Sequence, residues 1–238
     1  MRQPAFVLVH GAWHGGWCWR RVVDLLTKAG HQAFAPTLTG LGERSHLARA
    51  GLDLTTHITD IVNVLKWERL DNVVLAGHSY GGFVISGVAE RMAPALASLV
   101  FVDAFVPEHG DTLAKAASAT TRRLVEEAVE RGDTTLAPIP AAVFQVNEKD
   151  RAWVDALCVA HPLATLVDQI ELTGARERVA KKVYVRAKGY ASPSFDAALA
   201  KVQALPSWRT FELPCGHDVM VDRPERLAEI LLDSARGP

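Results

Sequence analysis

A glycine-flanked serine, Gly77-His78-Ser79-Tyr80-Gly81, stands directly after the run Asn72-Val73-Val74-Leu75-Ala76, and this order constrains the fold more than any other feature. Strand, sharp turn and helix must follow one another here. The serine then sits where bulk on either side would collide with neighbouring backbone, and its hydroxyl is lifted above a sheet. The next N–H lies at a helix N-terminus, a place that stabilises a developing oxyanion. Average residue usage yields the bare pattern by chance in roughly one chain in ten of this length. The flanking strand and helix patterns therefore carry the argument.

Apolar runs and helical periodicities alternate on both sides of that turn. Ala5–Val9 reads as a buried strand followed by the turn His10-Gly11-Ala12-Trp13-His14-Gly15-Gly16. Residues 17–28 show helical spacing, with Trp19, Val22, Val23 and Leu26 on one face and Gly30 as the C-cap. Residues 32–35 form a second strand stopped by Pro36. Thr55 or Thr56 caps a helix that reaches Trp67. A helix over 80–92 and a strand over 98–102 follow the serine turn. Repeated βα units imply an α/β fold, a mostly parallel sheet flanked by helices. Ligands bind beyond the carboxyl ends of such strands, and His10, Ser79 and Asp103 each stand just past one.

The alternation stops over 105–178, where helical stretches at 120–131 and 150–160 are separated by loops containing Pro138, Pro140 and Pro162, without strand signals. This segment reads as a helical cap inserted into a core made of 1–104 and 179–238. Strand character returns at 182–187 and Trp208–Leu213, and a last helix starts at Pro224.

With 238 residues the chain suits one such domain. A formal net charge of −1 and the lack of a basic block argue against nucleic acid. Met1-Arg2-Gln3-Pro4 leads straight into a five-residue apolar strand, too short for a signal-peptide core, and no apolar run has membrane-spanning length. Cys18, Cys158 and Cys215 are widely spaced and odd in number, as in a reduced cytoplasmic protein.

A serine hydroxyl needs a base, and the base needs an acid to hold it. On this fold the chain order is serine, acid, histidine. His161 lies inside the insertion, whereas His217 follows the last strand, on the same rim as Ser79. His217 is the expected base. The loop after the 182–187 strand, the usual place of the acid, contains Lys188-Gly189-Tyr190 and no carboxylate. Asp103, closing the strand after the serine helix, is the preferred acid, because a carboxylate behind three apolar residues needs a partner. Asp196 and Asp218 are its rivals. Asp196 stands where Pro193 opens a helix, and Asp218 is next to the base, so that its side chain points elsewhere. The amides of Ala12 and Tyr80 are the expected oxyanion donors. Trp13, Tyr80, Phe105 and Trp153 are candidates to face a substrate, against the general rule that such aromatics are core. Arg44 and Arg186 read as solvated or salt-bridged.

The stretches Phe6-Val7-Leu8-Val9-His10-Gly11-Ala12-Trp13-His14-Gly15-Gly16-Trp17-Cys18-Trp19, Ala35-Pro36-Thr37-Leu38-Thr39-Gly40-Leu41-Gly42 and Ala76-Gly77-His78-Ser79-Tyr80-Gly81-Gly82 resemble the α/β-hydrolase superfamily, specifically the plant methylesterase and hydroxynitrile lyase group. Val102-Asp103-Ala104-Phe105-Val106-Pro107 is similar to a bacterial esterase branch of it. The resemblance implies an α/β-hydrolase fold and a serine carboxylesterase acting on a small apolar or aromatic ester through an acyl-enzyme, with no metal or organic cofactor. The lyases of the group have threonine where Gly11 stands and lysine where Asp218 stands. An aspartate there repels departing cyanide, so the lyase reading falls. Hydrolysis of another bond (amide, lactone or carbon–carbon) and a non-catalytic small-molecule receptor are the alternatives. A homodimer is compatible with either.

Overall fold

The computed structural model describes residues 3–236, so the Met1-Arg2 part of the N-terminal reading lies outside the described residues. The chain opens with β1 (Ala5–Val9), a 3₁₀ turn over Gly16–Trp19 and α1 (Arg20–Lys28), then β2 (Ala33–Phe34) and α2 (Leu54–Trp67). The serine unit follows as β3 (Val73–His78), α3 (Gly81–Met92) and β4 (Leu96–Val102). Between β4 and the next sheet strand come α4 (Leu113–Ala116), α5 (Ala119–Glu130), β5 (Thr135–Leu136), α6 (Glu148–Leu157), β6 (His161–Pro162) and α7 (Ala164–Val167). The chain closes with β7 (Lys181–Ala187), α8 (Pro193–Gln203), β8 (Trp208–Leu213), α9 (Val219–Asp222) and α10 (Pro224–Ala235).

Six strands form one parallel sheet in the order β2-β1-β3-β4-β7-β8. Alternation along each strand assigns its side chains to the two faces. Val7, Val9, Leu75, Leu99 and Phe101 pack with Ile58, Ile61 and Leu65 of α2 and Val84, Ile85 and Val88 of α3. Phe6, Leu8, Val74, Ala76, Val100 and Val102 pack on the other face with Trp19 of the 3₁₀ turn, Val22 and Leu26 of α1, and Leu227, Ile230 and Leu231 of α10. Both faces are thus dry, which is why β1, β3 and β4 read as continuous apolar runs. The register pairs Val9 with Gly77 and His78 with Val102, so the ends of these strands lie side by side.

Local chemistry moved several boundaries. The α2 N-cap is Asp53, not Thr55 or Thr56: its Oδ1 accepts from Thr56 N–H at 2.7 Å and from the Thr56 hydroxyl at 2.6 Å. Between β4 and β7 the absence of strands expected from sequence fails in one place. Thr135 and Leu136 pair antiparallel with Pro162 and His161, a ladder too short for an alternating pattern to register. The helix expected over 150–160 ends earlier, because Cys158 turns to extended backbone. Among the described residues no helix is long and apolar enough to cross a membrane.

Candidate active site

Ser79 follows β3 with φ +53°, in the left-handed region that an L-residue occupies at a cost. The neighbours pin it there. Ser79 N–H donates to Val102 O at 3.3 Å, and its carbonyl accepts from Gly82 N–H at 3.0 Å and Phe105 N–H at 3.3 Å. The flanking glycines are steric necessities: a Cβ at Gly77 would lie 2.6 Å from Gly81 O, and one at Gly81 2.9 Å from Val9 O. Tyr80 N–H opens α3 and, like Ala12 N–H, has no backbone acceptor among the described residues. The Tyr80 side chain points the other way. Its hydroxyl lies 2.8 Å from His57 Nδ1 in the core, so only its amide remains a candidate for the cavity.

Asp103, just past β4, is fully buried and also has positive φ, +42°. Its Oδ2 lies 2.6 Å from His217 Nδ1. Its Oδ1 accepts from Arg186 Nη1 at 2.8 Å and Ala187 N–H at 3.0 Å. His217 itself is anchored by N–H donation to Phe144 O at 2.9 Å, and its own carbonyl accepts from His78 Nε2 at 3.1 Å. With Nδ1 engaged by Asp103, Nε2 is the ring nitrogen left for chemistry. Phe195 stacks on the imidazole at 5.2 Å between centroids, with Tyr190 at 4.9 Å and Phe144 at 5.3 Å.

Ser79 and His217 share the wall of an inner cavity of about 50 Å³ with Ala12, Trp13, Phe105 and Phe195. A larger cavity of about 980 Å³ contains neither Ser79 nor His217 and lies next to it, the two sharing Ser118, Thr121, Ile139, Phe144 and Tyr190. The smaller cavity is the one that Ser79 and His217 line, and the larger one opens beside it. Trp13 and Phe105 thus stand where a substrate would meet them. Trp153 does not: it packs on Trp17 at 5.0 Å, with the Arg21 guanidinium 5.4 Å from its ring. Spacing along α6 could not distinguish that surface from the cavity.

The rival carboxylates are engaged elsewhere. Asp196 is half exposed, 3.0 Å from Arg186 Nε and 3.6 Å from Lys188 Nζ. Asp218 is buried, with Oδ2 3.0 Å from His14 Nε2. Arg44 bonds Thr37 O and Thr39 Oγ1 and touches no cavity residue. His161 accepts from Trp13 N–H at 3.2 Å and stays behind the wall. Sequence reasoning missed the neighbours of the site: Arg186 as a buried partner of Asp103, the His14–Asp218 pair, and the aromatic box around His217. An arginine at the end of a buried strand was the one available signal.

Burial would lower His14, but the Asp218 carboxylate outweighs it and holds the imidazole well above its ordinary value. Burial would raise Asp218, and the His14 charge overcomes that, keeping it below the carboxylate range. Burial pushes His10 down to about 3 and His57 down to about 4. It likewise drives His78 and His161 well below the ordinary histidine value. His78, His217 and Asp218 offer ligand atoms within 4.8 Å of one another. His78 Nε2 is bonded to His217 O, His217 Nδ1 to Asp103 and Asp218 Oδ2 to His14. The trio is a hydrogen-bond network more than a ligand set.

A family model described as the alpha/beta hydrolase family matches residues 6–230. The chain is 45% identical over 235 residues to a carbendazim hydrolyzing esterase of Nocardioides sp. (strain SG-4G), covering 95% of this chain and 97% of that one. It is 36% identical over 118 residues to methylesterase 2 of Arabidopsis thaliana, covering 45% of this chain and 41% of the relative. An extracellular alpha/beta-hydrolase from a Paenibacillus species superposes with a TM-score of 0.85 at 21% identity, covering 98% of this chain and 100% of the other.

Proposed function

The chain belongs to the alpha/beta hydrolase family, and from that footing we propose that it is a serine carboxylesterase with Ser79 as nucleophile, His217 as base and Asp103 as the acid. The observation that carries the reading is the 2.6 Å contact between His217 Nδ1 and Asp103 Oδ2 beside the cavity that Ser79 lines. Asp103 fixes the tautomer and orientation that leave Nε2 to take the serine proton. The serine oxygen attacks the ester carbonyl, and the Ala12 and Tyr80 amides receive the oxyanion. His217 then protonates the leaving alcohol, and water repeats the sequence on the acyl-enzyme. Each step moves one proton between oxygen and Nε2, so no metal or organic cofactor is called upon.

Residues 105–178 act in this reading as the cap that shapes the vestibule and selects the substrate. The 45% identical relative makes carbendazim the first compound to try. The receptor alternative rests on the missing carboxylate after the penultimate strand, and the contact of Asp103 with His217 supports the esterase over it. Three unpaired cysteines fit a reducing compartment, and we place the protein in the cytoplasm.

Hydrolysis of p-nitrophenyl acetate and butyrate tests the reading. Ser79→Ala is expected to lose about 10⁶ in kcat and Asp103→Asn about 10⁴, whereas Asp196→Asn should stay within about threefold of wild type. A Ser79→Ala variant as active as wild type would overturn the esterase. An Asp196→Asn collapse would move the acid.

A further inference from the structure

The proposed mechanism leaves unused a buried cation in contact with Asp103. Arg186, the penultimate residue of β7, is 1% exposed at its side chain and stands beside Asp103 because Val102 and Val185 are paired in neighbouring strands. Nη1 donates to Asp103 Oδ1 at 2.8 Å and to Ala187 O at 2.5 Å, Nε to Asp196 Oδ1 at 3.0 Å, and Nη2 to Tyr190 O at 2.8 Å and Ser192 O at 3.5 Å. The guanidinium therefore spends its donors on one carboxylate in the site, one outside it, and the loop that bears Tyr190. A structural arginine would be satisfied by Asp196 and carbonyls alone. This one takes the oxygen of Asp103 that His217 does not use.

Resting on the esterase reading, we propose that Arg186 is a positioning residue of the site: it fixes which edge of Asp103 faces His217, holds the 190–192 loop against the imidazole, and moderates the negative charge that His217 meets. Three geometric links support this. Asp103 bridges guanidinium and imidazole through opposite oxygens. Tyr190 and Ser192, tied by Nη2, both line the inner cavity. Phe195 is stacked on His217, and its ring centroid lies 5.9 Å from the guanidinium carbon of Arg186.

The electrostatic consequence has a definite sign. A bare carboxylate favours the protonated imidazole, and a guanidinium on its far oxygen offsets that preference. The other ionisable groups around this pair are His78 and Ser79 from the elbow, Tyr184 from β7, which burial holds neutral, Tyr190 and Lys188 from the loop after β7, Asp196 from α8, and Cys215 and Asp218 from the loop of His217 itself. His78 is held neutral by burial, Asp218 is matched by His14, and Lys188 pairs with Asp196 and Glu212 at the surface. Arg186 is thus the one cation among the described residues in contact with Asp103. Removing it leaves the Asp103 carboxylate facing His217 without the guanidinium that offsets it, and the acidic limb of the pH profile reads that change.

The test is the pH profile of kcat/KM for p-nitrophenyl acetate, measured for wild type, Arg186→Gln and Arg186→Lys, with circular dichroism to verify folding. Arg186→Gln is expected to move the acidic limb upward by about one pH unit and to lower kcat at least tenfold. Arg186→Lys keeps the charge but cannot span Asp103 and Tyr190 together, so its limb should stay within about 0.3 unit while kcat falls at least fivefold. A folded Gln variant with an unmoved limb would show a merely structural arginine and overturn the proposal. If Gln does not fold, Lys decides alone, and wild-type kcat in Lys overturns the positioning role. Failure of the esterase reading shows itself separately, as Ser79→Ala turning over like wild type.

Discussion

His14 and Asp218 form an ion pair buried between the loop that carries Ala12 and the loop that carries His217. His14 Nε2 lies 3.0 Å from Asp218 Oδ2, and Nδ1 lies 2.7 Å from Ala12 O. A carbonyl and a carboxylate can only accept, so both ring nitrogens carry protons. The pair ties the proposed oxyanion donor to the segment of the proposed base. Replacing Asp218 by Asn strands a buried imidazolium, which costs about 3 kcal/mol. For a chain of this size that lowers Tm by roughly 6–12 °C. Thermal denaturation at pH 6 reads the loss, and kcat should fall with it. The Asp218 share holds above its unfolded value of about 3.8 and disappears as pH falls below it. The His14 share holds below about 6.5 and disappears as pH rises through the raised native value. An Asn variant melting within a degree of wild type at pH 6 would show that the pair contributes nothing.

Acid should weaken the fold early. His10 donates from Nδ1 to Gly11 O and accepts from Leu38 N–H at Nε2, and His57 accepts from the Tyr80 hydroxyl while donating to Thr39 O. His161 accepts from Trp13 N–H and donates to Thr165. In each ring a second proton would displace a donor. These three, together with His78, stay neutral in the folded chain, His10 to about 3 and His57 to about 4. The unfolded chain protonates all of them below about 6.5. Stability therefore falls as pH drops below that point, at up to about 1.4 kcal/mol per pH unit for each ring. His14, held protonated in the fold, opposes one of the four; urea midpoints from pH 7.5 to 5 should still decline steeply, and His57→Gln should flatten the slope by about a third.

Gly11 sets the clearance above the nucleophile. A Cβ there would stand 2.8 Å from His78 Nδ1 and 3.0 Å from Ser79 Cβ. His78 cannot swing aside easily, because its Nε2 holds His217 O. Gly11→Ala must then displace Ser79, His217 or both, at about 1–3 kcal/mol of strain. The expected result is a kcat reduced at least tenfold with KM little changed. Steady-state kinetics on p-nitrophenyl butyrate would show this, and an unaltered kcat would mean that the elbow has slack.

The elbow and the sheet were legible because a buried parallel strand, two crowded glycines and a following helix each leave a local mark. Ser79, Asp103 and His217 could be placed on one rim by counting strand ends alone. Asp103 was further betrayed by its setting: an acid after Val100-Phe101-Val102 has to be paired. The surroundings of the site were not legible for the opposite reason. Phe144, Tyr190 and Phe195 surround His217 from three separate segments, and nothing in their local sequence announces a common target. Arg186 looked like any strand-end arginine until its partner on the adjacent strand was in place. His14 and Asp218, 204 residues apart, needed both loops folded before either could be recognised as charged.

The division into two cavities makes a prediction about substrate size. The inner space of about 50 Å³ beside Ser79 is far below the roughly 300–1,000 Å³ of an ordinary small-molecule site. It accepts only the atoms around the scissile bond. The bulk of any larger ester must lie in the vestibule of about 980 Å³, reached past Ile139, Phe144 and Tyr190. Ile139 is half-buried and packs at the edge of the core, so a larger side chain can be carried there without unfolding the chain. Ile139→Trp narrows the mouth by several heavy atoms while leaving Ser79, His217 and Asp103 untouched. For 1-naphthyl acetate kcat/KM should fall at least tenfold, mostly through KM, because the naphthyl ring loses its place. For p-nitrophenyl acetate, which is smaller, it should change by no more than about threefold. Equal losses on both esters would mean that the mouth governs entry for every substrate. No loss on either would place the bulky group outside this vestibule altogether.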